Sequence, residues 1–74
     1  MKITIRLFGV FRIGRFKEEV RDLPAGTRPR AVVAALQLPE RLLGIVLIND
    51  CHAQLDDPLH EGDTLALLPL LEGG

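Results

Sequence analysis

Residues 61–74 read Glu61-Gly62-Asp63-Thr64-Leu65-Ala66-Leu67-Leu68-Pro69-Leu70-Leu71-Glu72-Gly73-Gly74. A glycine between two acids marks a tight turn, and the apolar run behind it has the length of a strand. Alternation sends Leu65 and Leu67 into the core and leaves Ala66 and Leu68 on the opposite face. Pro69 has no amide hydrogen to donate and is predicted to end sheet pairing. The body of the domain is therefore assigned to residues 1–69, and residues 70–74 to a flexible tail closing on Gly73 and Gly74. Five extended residues at roughly 3.3–3.6 Å each reach about 17 Å, enough to thread a terminal carboxylate into a pocket on another protein. Glycines suit that task because they pass narrow channels and adopt backbone angles closed to other residues.

The opening stretch alternates as well. Ile3, Ile5 and Leu7 point one way, and Lys2, Thr4, Arg6 and Phe8 the other, as in a half-buried strand. Gly9 to Gly14 is predicted to be a wide hairpin loop, with Phe11 and Ile13 either tucked beneath it or exposed. Arg15 to Leu23 is the return strand, with a bulge or an early end near Arg21, because Val20 and Leu23 cannot share a face of a regular strand. Pro24-Ala25-Gly26 is a turn. Thr27 is the predicted N-cap and Pro29 lies in the first turn of a helix running through Gln37. Val32, Val33 and Leu36, supported by Ala35, form its buried stripe, and Pro39 halts it.

Gly44 marks a corner, and Ile45 to Ile48 is a strand covered on much of both faces. Asn49-Asp50 is a turn, Ala53 to Leu55 a short edge pairing, and Asp56 to Leu59 a helical half-turn. The order strand, strand, helix, strand, strand lets the first and last strands lie parallel, with the helix crossing one face. This is an α+β fold of the β-grasp, ubiquitin-like kind: a mixed sheet of four to five strands under one main helix. Phe8 and Leu68 then share the open face, and with Leu70, Leu71 and Gly73 they form the candidate partner-binding residues.

Seventy-four residues make a single domain near the lower size limit for a self-sufficient core. Nine basic and ten acidic residues are interspersed and net to −1, which leaves no basic footprint for nucleic acid. No apolar run approaches the ~20 residues of a membrane span, and the alternating N-terminus lacks the apolar core of a secretion signal. The one cysteine, Cys51, excludes an internal disulfide. A cytoplasmic protein is the expectation.

Cys51, His52 and His60 do not match a zinc spacing, so no metal is assigned. Cys51 and His52 are adjacent with no orienting third group, which argues against a nucleophile and base; turn chemistry accounts for both. Asp56, Asp57, Glu61 and Asp63 read as a solvated acidic loop. No Gly-Lys-Ser/Thr triplet exists, so nothing here cradles a nucleotide phosphate. Activation of a terminal carboxylate by ATP would fall to a partner.

Several pieces together resemble the ubiquitin-like sulfur-carrier family that includes the small subunit of molybdopterin synthase and the thiamine-pathway sulfur carrier. They are Leu7-Phe8 with Arg12 in the following hairpin, Leu23-Pro24-Ala25-Gly26-Thr27, Ile48-Asn49-Asp50, Pro58-Leu59 leading to Glu61-Gly62-Asp63, Leu65 through Pro69, and Gly73-Gly74. The long first hairpin resembles the molybdopterin branch more closely, while Leu67, Leu68 and Leu70 stand where that branch has an aromatic run and a second proline. The resemblance implies a non-catalytic carrier that binds no cofactor of its own. Gly74 would be adenylated by an E1-like activating enzyme using ATP, converted to a thiocarboxylate, and used to supply sulfur to a synthase such as a molybdopterin synthase large subunit. Two alternatives stand beside it: a modifier conjugated through Gly74 to other proteins, and an interaction module indifferent to its last two residues.

Overall fold

The computed structural model describes residues 1–70; the expectations for Leu71, Gly73 and Gly74 lie outside the described residues. The chain forms β1 (Lys2–Leu7), a 3-10 turn at Gly9–Arg12, β2 (Glu18–Asp22), α1 (Pro29–Ala35), a second 3-10 turn at Glu40–Leu42, β3 (Leu43–Ile48), β4 (Cys51–His52) and β5 (Thr64–Pro69). One five-stranded sheet has the order β2-β1-β5-β3-β4. β1 and β5 pair in parallel, with Ile5 beside Leu65 and Leu7 beside Leu67, and the other neighbours are antiparallel. This is the β-grasp arrangement. Among the described residues no helix is long and apolar enough to cross a membrane.

Alternation places the core where the sequence puts it. Ile3, Ile5, Leu7, Leu65 and Leu67 are fully buried on the helix side of the sheet, and Val32, Val33, Leu38 and Leu59 close over them. The stripe of α1 differs from the expected one, because Ala35 is exposed and Leu36 only half-buried. The helix ends two residues before the turn at Gln37, whose φ of 55° is left-handed, and that turn swings Leu38 inward. Pro39 is thus not what stops the helix.

The start of α1 also differs. The Thr27 hydroxyl donates to the Pro24 carbonyl at 2.7 Å, so it is committed to the preceding turn and Arg28 is the N-cap, without a side-chain cap. Pro29 occupies the first turn, where its missing amide costs nothing. Arg30 bonds Asp56 through Nε at 3.0 Å and Glu40 through Nη1 at 2.7 Å. The hydrogen bond from Arg30 holds the Asp56 carboxyl below the ordinary carboxylate range. Its contribution is present above the unfolded-state pKa and is lost as pH falls through the lowered folded value.

The region after β1 departs most from expectation. In place of an open loop, Gly9–Arg12 winds into a 3-10 turn that drives Phe11 into the core at 1% exposure while Ile13 stands 73% exposed. Arg15 then ties this segment to the end of α1, donating from Nε to the Leu36 carbonyl at 3.0 Å and from Nη2 to the Gln37 carbonyl at 3.1 Å. The return strand begins only at Glu18, pairs without a bulge from Arg6–Glu18 to Lys2–Asp22, and ends before Leu23. The register continues through the Met1–Leu23 hydrogen bonds, and neither a bulge nor an early end is needed: Val20 is exposed while Leu23 packs against the core, on opposite faces.

Further along, Asn49 and Asp50 both have positive φ, 52° and 66°, as a two-residue hairpin turn with the right twist requires. That makes Cys51 and His52 the short strand β4, opposite Ile48 and Leu47, rather than turn residues, and Ala53 to Leu55 follows as loop. Asp56 to Leu59 is a turn, not a helical half-turn.

Phe11→Ala removes a fully buried ring and is expected to cost about 3–5 kcal/mol, whereas Ile13→Ser should stay within about 0.5 kcal/mol. Urea midpoints of the two variants, compared at equal slope, check the contrast.

Candidate functional site

Among the described residues, nothing covers the sheet face away from α1. Its residues follow from the register: Phe8 just beyond β1, Ala66 and Leu68 on β5, and Ile45 and Leu47 on β3 opposite them. None of Phe8, Ile45, Leu47 or Leu68 packs against the core cluster, so together they form an apolar patch, with Ile45 exposed and the others half-buried. The guanidinium groups of Arg6 and Arg12 each lie 5.3 Å from the Phe8 ring centroid. Arg12 is fixed there by its Nε bond to the Leu7 carbonyl at 2.7 Å. Two cations against the ring help hold it in one place and give the patch a basic border.

The other end of the same face is polar. Thr4, Arg6, Glu18, Asn49, Asp50 and Thr64 line a shallow hollow of about 410 Å³. Asn49 closes it, receiving the Thr64 amide at 3.0 Å and donating to Asp63 at 2.9 Å, and so clips the β3–β4 hairpin to the start of β5.

The root of the tail lies at the apolar end. Pro69 was expected to end pairing, but β5 includes it, opposite Leu43, and the Leu70 amide donates to the Leu42 carbonyl at 2.6 Å. Proline interrupts a ladder only on the side its nitrogen faces, and here pairing continues through its neighbour. Leu70 is thereby anchored while its side chain stays exposed. The sheet reaches this far because of Gly44. A Cβ there would lie 2.9 Å from both the nitrogen and Cα of Leu70, and the ladder is irregular between Leu43 and Ile45. Gly44 is therefore a point of close backbone approach within β3, not a corner. On the other side Gly9, at φ 54°, lies under the Pro69 ring, which a Cβ would meet at 3.1 Å.

The structure thus brings together Phe8, Leu68 and Leu70 of the expected partner-binding residues. It adds Ile45 and Leu47, together with Gly44 and Leu42, which hold the tail's root. A glycine inside the apolar run from 42 to 48 was the available sequence signal for the last two. Among the described residues no group of three or more His, Cys, Asp or Glu could hold a metal. Cys51 is exposed on the β4 edge, three strands away from β1.

A five-stranded β-grasp sheet with an apolar patch on its open face, beside the end of its central last strand, defines a ubiquitin-like domain. The ThiS family model matches residues 5–74, and the chain belongs to the ThiS family. No curated protein matches it. Among solved structures it is similar to SAMP1 from Haloferax volcanii, at 26% identity over 100% of both chains with a TM-score of 0.76. It is similar to subunit 1 in the complex of subunits 1 and 2 of molybdopterin-converting factor from Helicobacter pylori, at 25% identity over 100% of both chains and a TM-score of 0.67. The putative molybdopterin converting factor subunit 1 from Pyrococcus furiosus shares the fold at 23% identity, covering 96% of this chain and 99% of its own, with a TM-score of 0.74.

Gly44→Ala should push Leu70 off the sheet. Hydrogen exchange at the Leu70 amide is expected to accelerate, with a loss of about 1–3 kcal/mol from overpacking, while exchange in β1 and β2 follows the global change alone.

Proposed function

We propose that this chain is a sulfur carrier whose C-terminal carboxylate, on Gly74, is the working group and whose folded body is a docking handle. The observation that carries the reading is the anchoring of Leu70 at the margin of the Phe8–Leu68 patch. A partner seated on that patch meets the tail at a fixed point. Four residues beyond Leu70, fully extended, span about 14 Å, one residue less than a break at Pro69 would allow.

The chemistry needs nothing further from this chain. In an adenylating partner, a Gly74 carboxylate oxygen attacks the α-phosphorus of ATP and pyrophosphate leaves, giving an acyl-adenylate. Hydrosulfide, sulfur at the sulfide level, then attacks the carbonyl carbon, AMP leaves, and loss of a proton gives the thiocarboxylate. Its sulfur is ionised and nucleophilic, so it can be handed to an acceptor without release as free sulfide. The similarity to subunit 1 of the H. pylori complex favours a synthase of the molybdopterin type as acceptor. It equally favours a division of labour in which that synthase supplies the catalytic groups. The cytoplasm, where ATP is available, is the compartment this reading requires.

A second reading, conjugation to lysines of other proteins through the same carboxylate, is favoured by the likeness to SAMP1, a small archaeal modifier protein. Both readings share the activation step and part only in what attacks the adenylate.

Intact-mass measurement separates them. Incubated with ATP, an activating enzyme and a sulfur source, the chain should gain the difference between a sulfur and an oxygen atom, localised by fragmentation to Gly74. Phe8→Glu and Leu68→Glu should slow loading at least about tenfold by burying a carboxylate at the interface, and removal of Gly73 and Gly74 should abolish it. Lysine-linked adducts without the mass gain would favour the modifier. An unchanged mass, under conditions that load the H. pylori subunit, would refute both.

A further inference from the structure

The helix side of β2 carries a second surface, independent of the sulfur-carrier reading. β2 is an outer strand, and its register determines which backbone groups are spent. The Leu7 amide bonds the Lys17 carbonyl at 2.9 Å and the Leu23 amide bonds the Met1 carbonyl at 2.8 Å. In an antiparallel ladder bonded pairs alternate, so Glu19 and Arg21 face β1. The amides and carbonyls of Glu18, Val20 and Asp22 face outward, a row of three residues open to another strand.

Beside this edge, between β2 and α1, lies an apolar groove of about 280 Å³. Ile5, Leu23 and Pro24 form one wall and Ala31, Val32 and Ala35 the other. The outward residues of α1 are unusual for a surface helix: Ala31, Ala34 and Ala35 are exposed, and Arg30 is its one charged residue. Small side chains there leave the groove open where longer ones would fill it.

The charges along the groove select its occupant. Lys17, Glu19 and Arg21 take the helix-side positions of the strand, and Arg15 stands at the far end on the Leu36 and Gln37 carbonyls. Glu19 is held by Arg21 at 2.8 Å, leaving three cations against one carboxylate. On the open-face side, Glu18 and Asp22 are already matched by Arg6 at 3.3 Å and Lys2 at 3.0 Å. A second copy of the chain is disfavoured. Antiparallel pairing of β2 with itself about Val20 sets Glu18 opposite Asp22 on one face and Glu19 opposite Arg21 on the other, contacts that cancel, and moving one step either way sets Arg21 or Glu19 opposite itself, so self-pairing gains nothing net from charge.

We propose that the β2 edge and the groove beside α1 bind an extended segment of another protein, apolar at alternate positions and flanked by acidic residues. The segment adds as a sixth strand, its backbone pairing with Glu18, Val20 and Asp22. One apolar side chain enters the groove over Ala31 and Ala35, and the acidic flanks meet Lys17 and Arg15. Main-chain bonds supply affinity and the groove supplies selection, as in other strand-addition complexes. The site faces away from the Phe8–Leu68 patch, so it can hold a partner while the tail is engaged elsewhere.

The test titrates the isotope-labelled full chain with a synthetic peptide of alternating valines between aspartate triplets, up to about 1 mM, against a control with lysines in place of the aspartates. Amide shifts centred on Glu18, Val20, Asp22, Ala31 and Ala35 are expected, with binding that weakens as salt rises. Ala31→Glu, at an exposed helix position, and Val20→Pro, whose amide faces outward, should each weaken binding at least about tenfold and leave the fold intact. Equal binding of the lysine control, shifts confined to Phe8 and Leu68, no shifts at all, or concentration-dependent shifts of the free chain at β2 would each overturn the proposal.

Discussion

Everything in this domain answers to the parallel pairing of β1 with β5. Two strands from opposite ends of the chain can run side by side in the same direction only if the intervening chain crosses over one face of the sheet. That crossover contains α1, and it covers the side on which Ile3, Ile5, Leu7, Leu65 and Leu67 are buried. Among the described residues the opposite side is left without a lid. Because β5 is central, its end is flanked by β1 on one side and β3 on the other, so Leu70 lies in the middle of the sheet.

The apolar patch and the tail's root are thus products of one topology. Phe8 continues β1 past Leu7, Leu68 lies near the end of β5, and Ile45 faces Leu68 from β3. Gly44 then lets the β3 backbone approach Leu70 closely enough for one more hydrogen bond. Backbone pairing therefore extends to Leu70, one residue past the proline. Under the proposed function, the anchored Leu70 gives a partner seated on the patch a fixed point from which to reach the Gly74 carboxylate.

The strand alternation was legible because burial on one face imposes a period of two, and Ile3, Ile5, Leu7, Leu65 and Leu67 follow it without exception. So was the Asn49-Asp50 turn, whose residue types tolerate the left-handed angles it uses. Less legible were features that depend on distant partners. Thr27 has the chemistry of an N-cap, yet its hydroxyl is taken by the Pro24 carbonyl. Phe11 and Ile13 have similar hydropathy, and only the 3-10 winding after Gly9 separates a core residue from an exposed one. The turn at Gln37 that follows α1 accepts a hydrogen bond from Arg15, 22 residues away in the chain. At the site, Phe8 and Leu68 could be paired from alternation alone, but Ile45 and Leu47 required the β3–β5 register, and Gly44 required the approach of Leu70.

Methyl cross-saturation between a protonated activating enzyme and the deuterated, methyl-labelled carrier measures most directly which face is a docking surface. Loss of signal concentrated at the methyls of Ile45, Leu47, Leu68 and Leu70 is the expected result, with Val32, Val33 and Leu38 beneath α1 unaffected. Saturation confined to the α1 side, with the open-face methyls unchanged in a complex that still loads the tail, would contradict the placement of the handle.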